Sequence, residues 1–192
     1  MSPNPMTSIL EVIDVMEDLD IPYHVGGSLA SSVHGIPRQT NDVDLVADIP
    51  LSLATTLEQR LKDHFYIDAD MIRRAVRTSR SFNLVHFGTG FKVDIFALGQ
   101  NAFDYSEFSR HALHHLDELS RSLMVKSPED TILRKLEWYQ LGGGTSDRQW
   151  NDLLGIVKTQ GSRLDQEYLH QWAPQLGVAE FLEKLLQESA SE

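Results

Sequence analysis

The spacing of apolar residues along the chain changes from segment to segment and predicts where helices and strands lie. From Met6 to Leu19 apolar residues recur every three or four positions, which predicts an amphipathic helix. Short runs rich in β-branched and aromatic residues predict strands. These runs are Tyr23–Val25, Val43–Ala47, Phe65–Ile67, Ser81–Phe87 and Phe91–Leu98. Because the last two flank Gly88-Thr89-Gly90, they predict a β-hairpin.

The remaining segments follow a helical pattern, which becomes continuous after residue 126. Between the strands we expect four helices, at Ser28–His34, from Pro50 as a first residue, after an N-cap at Asp70, and at Phe103–His111. Leu113–Val125 has no clear period. Ser127 with Pro128 then starts a helix that ends at Gly142-Gly143-Gly144. Ser146 starts the next, and two more helices follow. The order predicts an α/β region succeeded by an all-α region.

Gly26, Gly27 and Ser28 lie between the predicted strand Tyr23–Val25 and the helix that follows it. The glycines allow a sharp turn and leave no Cβ in the path of a ligand. The first N–H groups of a helix have no partner within the helix, and the helix dipole adds partial positive charge, so an anion such as a triphosphate is favoured there. Taken alone, the same residues also fit an ordinary turn with Ser28 as the N-cap.

Asp42 and Asp44 stand one residue apart at the start of a predicted strand, so their side chains lie on the same face of the sheet. Adjacent carboxylates repel each other unless a cation lies between them, and Mg²⁺ binds such oxygens together with substrate phosphates. The alternative is a pair of solvated acids at the end of a loop.

A third acid, Asp94, lies within the apolar strand Phe91–Leu98. A carboxylate among buried residues needs a partner, because burying an unpaired charge is costly. A divalent metal shared with the Asp42 and Asp44 pair would supply that partner. Lys92 and Lys126 are the alternative ion-pair partners.

These pieces together resemble a known superfamily. Gly27-Ser28, then Asp42-Val43-Asp44, then Asp94 in KVDIF resemble the nucleotidyltransferases built around the DNA polymerase β-like core. The segment Ser127–Val157 is similar to the helical part of AbiEii-type bacterial nucleotidyltransferases, the toxin-like branch, and of uncharacterised bacterial relatives. The resemblance runs from about Tyr23 to Val157.

Two residues of the helical segment carry the finer resemblance. In the AbiEii-type branch a Lys on one helix and an Asp on the next serve the site, and Lys135 and Asp152 stand at those positions. The chain departs from better-known members at one point, where Arg148 is followed by Gln149 instead of Asp.

The resemblance implies a small mixed β-sheet nucleotidyltransferase core flanked by helices and followed by an α-helical C-terminal region, divided at residues 1–125 and 126–192. It implies an enzyme that uses Mg²⁺ or Mn²⁺ to transfer NMP from an NTP to a hydroxyl acceptor with release of pyrophosphate. Asp42, Asp44 and Asp94 would be the catalytic residues and the metal ligands. The residues expected to bind the nucleotide are Gly26, Gly27, Ser28, Arg38, Thr40, Lys135 and Asp152.

The acceptor is left open by the resemblance. The AbiEii-type branch suggests a tRNA 3′ end or other RNA and a cognate antitoxin, whereas other members of the superfamily modify small hydroxylated molecules or protein hydroxyls. Because one fold supports transfer to all of these acceptors, the motifs do not identify the acceptor. A different class of function is a catalytically silent nucleotide-binding protein or toxin–antitoxin partner with the same fold.

Composition and net charge limit the cellular compartment and the classes of ligand that we expect. The 192 residues include no cysteine, so disulfides and thiol chemistry are excluded, and a cytoplasmic protein is expected. No apolar run approaches the roughly 18 residues of a membrane span, and the first residues do not resemble a signal peptide. The net charge of −11 argues against non-specific nucleic-acid binding but leaves room for one docked RNA end.

Four arginines, Arg73, Arg74, Arg77 and Arg80, concentrate positive charge in this acidic chain. Arg73 and Arg77 share a helix face. One interpretation is a contact with a triphosphate or an acceptor RNA. The other, which we favour from the sequence, is a solvated face that pairs with Asp68 and Asp70.

Overall fold

A computed structural model of the chain describes residues 5–40 and 42–191, and in this part it contains seven strands and nine α-helices. The strands form one mixed sheet. The α/β class predicted from the sequence is therefore confirmed. None of the helices in the described ranges is both long and apolar enough to cross a membrane.

The strands follow the predicted segments closely, with one hairpin added. They are β1 Tyr23–Val25, β2 Asp42–Ala47, β3 Phe65–Tyr66, β4 Ser81–His86, β5 Lys92–Ala97, β6 Ala112–Leu116 and β7 Arg121–Val125. Their order across the sheet is β3-β4-β5-β2-β1-β7-β6. β2 runs parallel to β5, and β1 runs parallel to β7. The remaining neighbours, including the predicted pair β4 and β5, are antiparallel.

The helices occur where the periodicity predicts them. They are α1 Ser8–Asp18, α2 Gly27–His34, α3 Ala54–Leu61, α4 Ala69–Thr78, α5 Ala102–Ser109, α6 Pro128–Leu141, α7 Asp147–Gln160, α8 Gln166–Trp172 and α9 Ala179–Ser191. Ser127 caps α6 with Pro128 in its first turn, and Ser146 caps α7, as the sequence predicts.

The chain separates into two compact units. The first consists of Met1–Gly26 and Thr40–Val125 and contains the whole sheet. The second consists of Gly27–Gln39 and Lys126–Glu192 and is helical. The second unit thus takes in α2, which precedes β2 in sequence, besides the C-terminal helices.

In the first unit, alternate residues of the two central strands are buried. Val43 and Leu45 on β2 and Val93 and Ile95 on β5 expose at most 1% of their surface. Because side chains alternate between the two faces of a strand, the intervening residues of β2 and β5 all belong to the opposite, more open face. The predicted acids occupy that face.

In the second unit, α2 packs against α6 and α7 through apolar residues. Leu29 and Ala30 of α2 are buried in it, and so are Leu133 of α6 and Leu153 of α7. The loop after α2 approaches α7 so closely that a Cβ on Gly35 would lie 2.8 Å from the Ile156 backbone nitrogen. Glycine at position 35 therefore permits this packing.

Three local predictions need correction. The N-cap of α4 is Asp68, whose side chain accepts a hydrogen bond from the Met71 backbone, and not Asp70. Pro50 precedes a short 3-10 turn, Leu51–Leu53, and α3 starts only after that turn. The segment Leu113–Val125, for which no period was evident, contains most of the β6–β7 hairpin.

Candidate functional site

The three predicted acids are neighbours on one face of the sheet in the first unit. β2 and β5 are adjacent and parallel, with Asp44 directly opposite Asp94 and Asp42 directly opposite Lys92. Asp42 is exposed, whereas Asp44 and Asp94 are half-buried. The predicted alternation on β2 is confirmed, and the register brings the distant Asp94 beside the pair.

Lys92 neutralises part of this negative charge. Its Nζ lies 2.7 Å from Oδ2 of Asp94, and the side chain of Asp94 is 18% exposed. The hydrogen bond to Asp94 raises the pKa of Lys92, and the charges of Asp94, Asp42 and Asp44 raise it further against the opposing effect of partial burial. All three carboxylates therefore act electrostatically on one ammonium group. Of the two lysines considered as partners for Asp94, Lys92 makes the contact.

The side chain of Thr40 orients Asp42. The Thr40 hydroxyl lies 2.9 Å from Oδ1 of Asp42 and 3.0 Å from its carbonyl oxygen. A hydroxyl that donates to a carboxylate limits the rotation of that carboxylate while leaving its other lone pairs available. Thr40 thus helps to fix the loop before the Asp pair.

The donor chemistry of this face suits a hard divalent cation. Magnesium prefers carboxylate oxygens, and three carboxylates are presented by neighbouring positions of two strands. Within residues 5–40 and 42–191, however, no three acidic or histidine side chains converge into a ready-made metal site. Lys92 supplies the positive charge on Asp94 instead. The three carboxylates are suitable ligands for a divalent metal and lie on one face of the sheet. Lys92 would compete with the metal for Asp94.

The glycine turn begins at the end of β1. The backbone N–H of Gly26 donates to the carbonyl of Asp44 over 2.8 Å, which ties the end of β1 to the acidic strand β2. This bond lies within the first unit. The sequence does not predict it, because a backbone hydrogen bond leaves no mark on residue type.

In the second unit, Gly27 has a φ of +54°, a conformation that favours glycine, and it is the first residue of α2. Ser28 therefore lies inside the helix instead of capping it. Its Oγ accepts a hydrogen bond of 2.7 Å from the Arg38 guanidinium. The interpretation of Ser28 as a simple N-cap is thus wrong for this fold.

Arg38, Lys135 and Asp152 form one ion-pair cluster in the second unit. The Arg38 guanidinium makes a bidentate contact with Asp152, through Nε to Oδ1 and Nη2 to Oδ2, each 2.8 Å long. Lys135 Nζ lies 2.8 Å from the same Oδ2. With Ser28 on Nη2 of Arg38, four of the predicted nucleotide-binding residues belong to one network, which we call the Arg38 cluster.

Within the Arg38 cluster, two cationic side chains, Arg38 and Lys135, contact the single carboxylate of Asp152. Burial acts to raise the pKa of Asp152, but the hydrogen bonds from Arg38 and Lys135 outweigh it, so the pKa lies below the ordinary 3.8. The side chain of Lys135 is only 11% exposed, and that of Asp152 is 8% exposed. Positioned, partly buried guanidinium and ammonium groups suit an anionic ligand such as a phosphate.

The predicted residues thus fall into two groups, each within one unit. Asp42, Asp44 and Asp94 with Thr40 and Gly26 belong to the first unit, and Gly27 with the Arg38 cluster belongs to the second. Arg148, which precedes the Gln149 that departs from the family pattern, is exposed, and among the described residues its side chain makes no hydrogen bond or ion pair. Sequence reasoning did not foresee the contact between Arg38 and Asp152, which are far apart along the chain.

Comparison with known proteins gives structural matches only. No family model matches the chain, and no curated protein matches its sequence. Among solved structures, the antibiotic-resistance factor ANT(2'')-Ia has a TM-score of 0.57 at 12% identity, covering 93% of this chain and 97% of that one. The lincosamide antibiotic adenylyltransferase LnuA with lincomycin bound has a TM-score of 0.52 at 15% identity, covering 77% of this chain and 93% of that one.

A third match is a nucleotidyltransferase-like protein. An antigenic nucleotidyltransferase-like protein from Paracoccidioides brasiliensis has a TM-score of 0.53 at 16% identity, with 97% of this chain and 94% of that chain covered. At such low identity these matches establish the fold and leave the chemistry to be argued from the residues. The chain has the mixed α/β fold found in nucleotidyltransferases.

Proposed function

We propose that this protein is an enzyme that transfers a nucleoside monophosphate from an NTP to a hydroxyl group and releases pyrophosphate. The observation that carries the proposal is the direct pairing of Asp44 with Asp94 on adjacent parallel strands, with Asp42 on the same face. These carboxylates lie on a fold that solved nucleotidyltransferases share.

Asp42, Asp44 and Asp94 would hold Mg²⁺ or Mn²⁺. When bound, such a cation neutralises charge on the phosphates and on the entering and leaving oxygens. Thr40 keeps Asp42 oriented through its 2.9 Å hydrogen bond. In the reaction, the acceptor hydroxyl oxygen forms a bond to the α-phosphorus while the bond from that phosphorus to the β-bridging oxygen breaks. Asp94 accepts the proton that the hydroxyl loses.

The Arg38 cluster is proposed to bind the phosphates of the NTP. Lys135 and Arg38 carry two positive charges against the single charge of Asp152, and Ser28 adds a hydroxyl. Charge that is already positioned and partly shielded from water stabilises a developing anion at little reorganisation cost. Lys135 and Arg38 would thus stabilise the negative charge of a bound phosphate group.

We also propose which class of molecule carries the acceptor hydroxyl. The resemblance to AbiEii-type enzymes suggests a tRNA 3′ end, and it also suggests a cognate antitoxin. The solved relatives offer another acceptor class, since ANT(2'')-Ia has been seen with adenylyl-2''-tobramycin and LnuA with lincomycin. We take RNA as the acceptor to test first.

The test is incubation of the purified protein with each α-labelled NTP and Mg²⁺, together with total RNA, lysate protein or a panel of hydroxylated antibiotics. We expect label to enter one acceptor class and pyrophosphate to be released. Asp44→Asn should abolish this transfer while the circular dichroism spectrum is unchanged. Asp63→Asn, at an exposed acid of the same unit, is the matched control and should keep full activity.

Two results would contradict the proposal. If Asp44→Asn transferred label as fast as the unmodified protein, the carboxylate face would not be the site. If calorimetry found Mg²⁺-dependent NTP binding but no acceptor took label, the catalytically silent nucleotide-binding protein would be the better description.

A further inference from the structure

The outer face of α4 carries a strip of positive charge that the proposed reaction does not use. Arg73, Arg74 and Arg77 lie on this face, and Arg80 follows two residues after the helix ends. We call these four residues the arginine strip. The opposite face of α4 is buried in the first unit through Ala69, Ile72 and Ala75. The strip therefore faces outward because the apolar side of the helix is fixed.

The arginine strip borders an open depression. The depression has a volume of about 330 Å³ and is lined by Asp70, Arg73, Arg74, Arg77 and Thr78. Its walls come from a single helix, so it is a shallow surface and not an enclosed pocket. Such a surface suits an extended ligand that lies across it better than a small molecule that must be enclosed.

Pairing with neighbouring acids accounts for only one of the arginines. Asp68 is engaged as the helix cap, because its side chain accepts from the Met71 backbone. Oδ1 of Asp70 lies 2.7 Å from Nη1 of Arg73, and Nη2 of Arg73 donates a hydrogen bond to the Thr55 hydroxyl. The guanidinium groups of Arg74, Arg77 and Arg80 make no ion pair with any residue in the described ranges 5–40 and 42–191. Of the interpretation favoured from the sequence, a solvated face that pairs with Asp68 and Asp70, the exposure of Arg74, Arg77 and Arg80 and the pair of Arg73 with Asp70 are confirmed, whereas Asp68 serves as the helix cap.

The charge of the strip opposes that of the whole chain. Three arginines of the strip line the depression together with one carboxylate, Asp70, in a protein whose net charge is −11. Holding several like charges on one helix is unfavourable unless an anion relieves it. Because the rest of the chain is acidic, this strip would direct where a polyanion can bind.

All four residues are arginine, with no lysine among them. The planar guanidinium fork matches phosphate oxygens in a bidentate manner, whereas lysine acts as a point charge. Arg73 and Arg77 are one helical turn apart, about 6 Å along the axis. A single phosphate would not occupy the whole strip, whereas successive phosphates of a nucleic-acid strand would.

We propose that the arginine strip binds the phosphodiester backbone of an RNA and holds it for the reaction. The binding step stands on the strip alone. The statement that this RNA is the acceptor rests on the proposed function. RNA binding through the strip would be independent of sequence, because phosphate contacts position a nucleic acid without reading its bases.

The test measures binding of fluorescein-labelled bulk tRNA by anisotropy, in EDTA and without NTP, so that neither metal nor catalysis contributes. We expect Arg74→Glu/Arg77→Glu to weaken binding at least tenfold at low salt. The slope of log Kd against log salt concentration should fall by about 2, because two phosphates are no longer neutralised by arginine. Arg74→Gln/Arg77→Gln should give the same slope with a smaller reduction in affinity, and it guards against misfolding of the charge-reversed variant.

Arg60→Glu/Lys62→Glu is the matched control, because it makes the same charge change on a neighbouring exposed segment of the same unit. It should keep the tRNA affinity within about threefold. The proposal is overturned if both arginine variants bind tRNA like the unmodified protein, or if the control weakens binding as much. It is also overturned if the variants lose affinity for free ATP or pyrophosphate while tRNA binding persists.

The outcomes separate this inference from the proposed function. If transfer to a small molecule is found and tRNA does not bind, the enzyme assignment stands and the arginine strip proposal fails. If tRNA binds through the strip and no label is transferred, the strip proposal stands and the enzyme assignment fails.

Discussion

At the scale of single residues, Lys92 controls the charge of the carboxylate face. Its ammonium lies 2.7 Å from Asp94 and is stabilised by the charges of Asp42 and Asp44 as well. A divalent cation would need the same oxygens. Exposed ion pairs contribute about 1 kcal/mol or less, so a metal can displace Lys92, but the displacement has a cost.

Lys92→Met keeps the length of the side chain and removes the competing charge. We expect Mn²⁺, measured by electron paramagnetic resonance titration, to bind this variant roughly three to ten times more tightly than the unmodified protein. Lys62→Met, at an exposed lysine of the same unit, should leave the Mn²⁺ affinity unchanged. Equal or weaker binding to Lys92→Met would mean that Lys92 does not compete with a metal.

Asp152 makes the stability of the second unit sensitive to acid. Its pKa is lowered in the folded state, since the hydrogen bonds from Arg38 and Lys135 outweigh the effect of burial. A lowered pKa stabilises the fold above the ordinary value of 3.8, and this contribution disappears as the pH falls through the folded-state pKa. Asp152→Asn removes both the charge and this pH dependence.

We expect Asp152→Asn to lower the free energy of unfolding at pH 7 by about 2 kcal/mol, a typical value for hydrogen bonds to charged groups. The difference from the unmodified protein should shrink as the pH falls below 3.8. Urea unfolding followed by circular dichroism between pH 3 and pH 7 would measure it. A difference that stayed constant over that range would show that the carboxylate charge is not what stabilises the cluster.

The residues of the candidate site could be predicted only in part, for a physical reason. Asp42 and Asp44 share a face because strand side chains alternate, which is a local rule. The bidentate contact of Arg38 with Asp152 depends on how α2, its following loop and α7 pack together. No local pattern records such packing, so only the resemblance to a known family drew attention to Asp152.

At the scale of elements, the helix starts were among the most predictable features because capping is local chemistry. Ser127 accepts from the Asp130 backbone, and its hydroxyl also contacts the Asp130 side chain, which is fully buried and accepts from Tyr168. Ser127 therefore belongs to a hydrogen-bond network with Asp130 and Tyr168 at the start of α6. Removing its hydroxyl removes a helix cap and one partner of a buried carboxylate.

Ser127→Ala should lower the free energy of unfolding by about 1–2 kcal/mol, the upper part of the usual range for N-caps. Ser146→Ala at the more exposed cap of α7 is the comparison, with an expected decrease of about 0.5–1 kcal/mol. Chemical unfolding of both variants would rank the two caps. If Ser146→Ala proved the more damaging, the buried Asp130 network would not add to the cap at Ser127.

One strand of the unpredicted β6–β7 hairpin lacks a buried face. β6 is an edge strand, and its residues are exposed or half-buried on both faces, so no alternation marks it. The N-cap of α4 shows a second difficulty. Asp68 and Asp70 are both good caps, and the choice follows from which residues the helix buries, namely Ala69 and Ile72. Tertiary burial thus sets a boundary that residue type leaves ambiguous.

At the scale of the whole molecule, the chain passes three times between its two units. Gly27–Gln39 belongs with the C-terminal helices although β2 follows it directly. The rest of the second unit begins at Lys126. The membership of α2 was not predictable, because its short apolar stripe fits any neighbouring helix or sheet. Long-range packing alone assigns it to α6 and α7.

This arrangement makes Gly35 a sensitive position for the second unit. A Cβ at residue 35 would approach the Ile156 backbone nitrogen to 2.8 Å and the Gly155 carbonyl carbon to 2.9 Å. Backbone atoms cannot rotate away as the end of a side chain can. Gly35→Ala should therefore cost about 1–3 kcal/mol, as overpacking of a well-packed interior does. Gln39→Ala, an exposed substitution in the same loop, should cost less than about 0.5 kcal/mol.

Hydrogen exchange would show where the cost of Gly35→Ala appears. If the second unit opens as a cooperative part of the chain, amides in α2, α6 and α7 should exchange faster in the variant. Amides of β2 and β5, which pair within the first unit, should keep their protection. Equal acceleration in both units would instead mean that the chain unfolds in one step. Unchanged exchange in α2 and α7 would mean that the close approach at Gly35 is relieved without disturbing the packing.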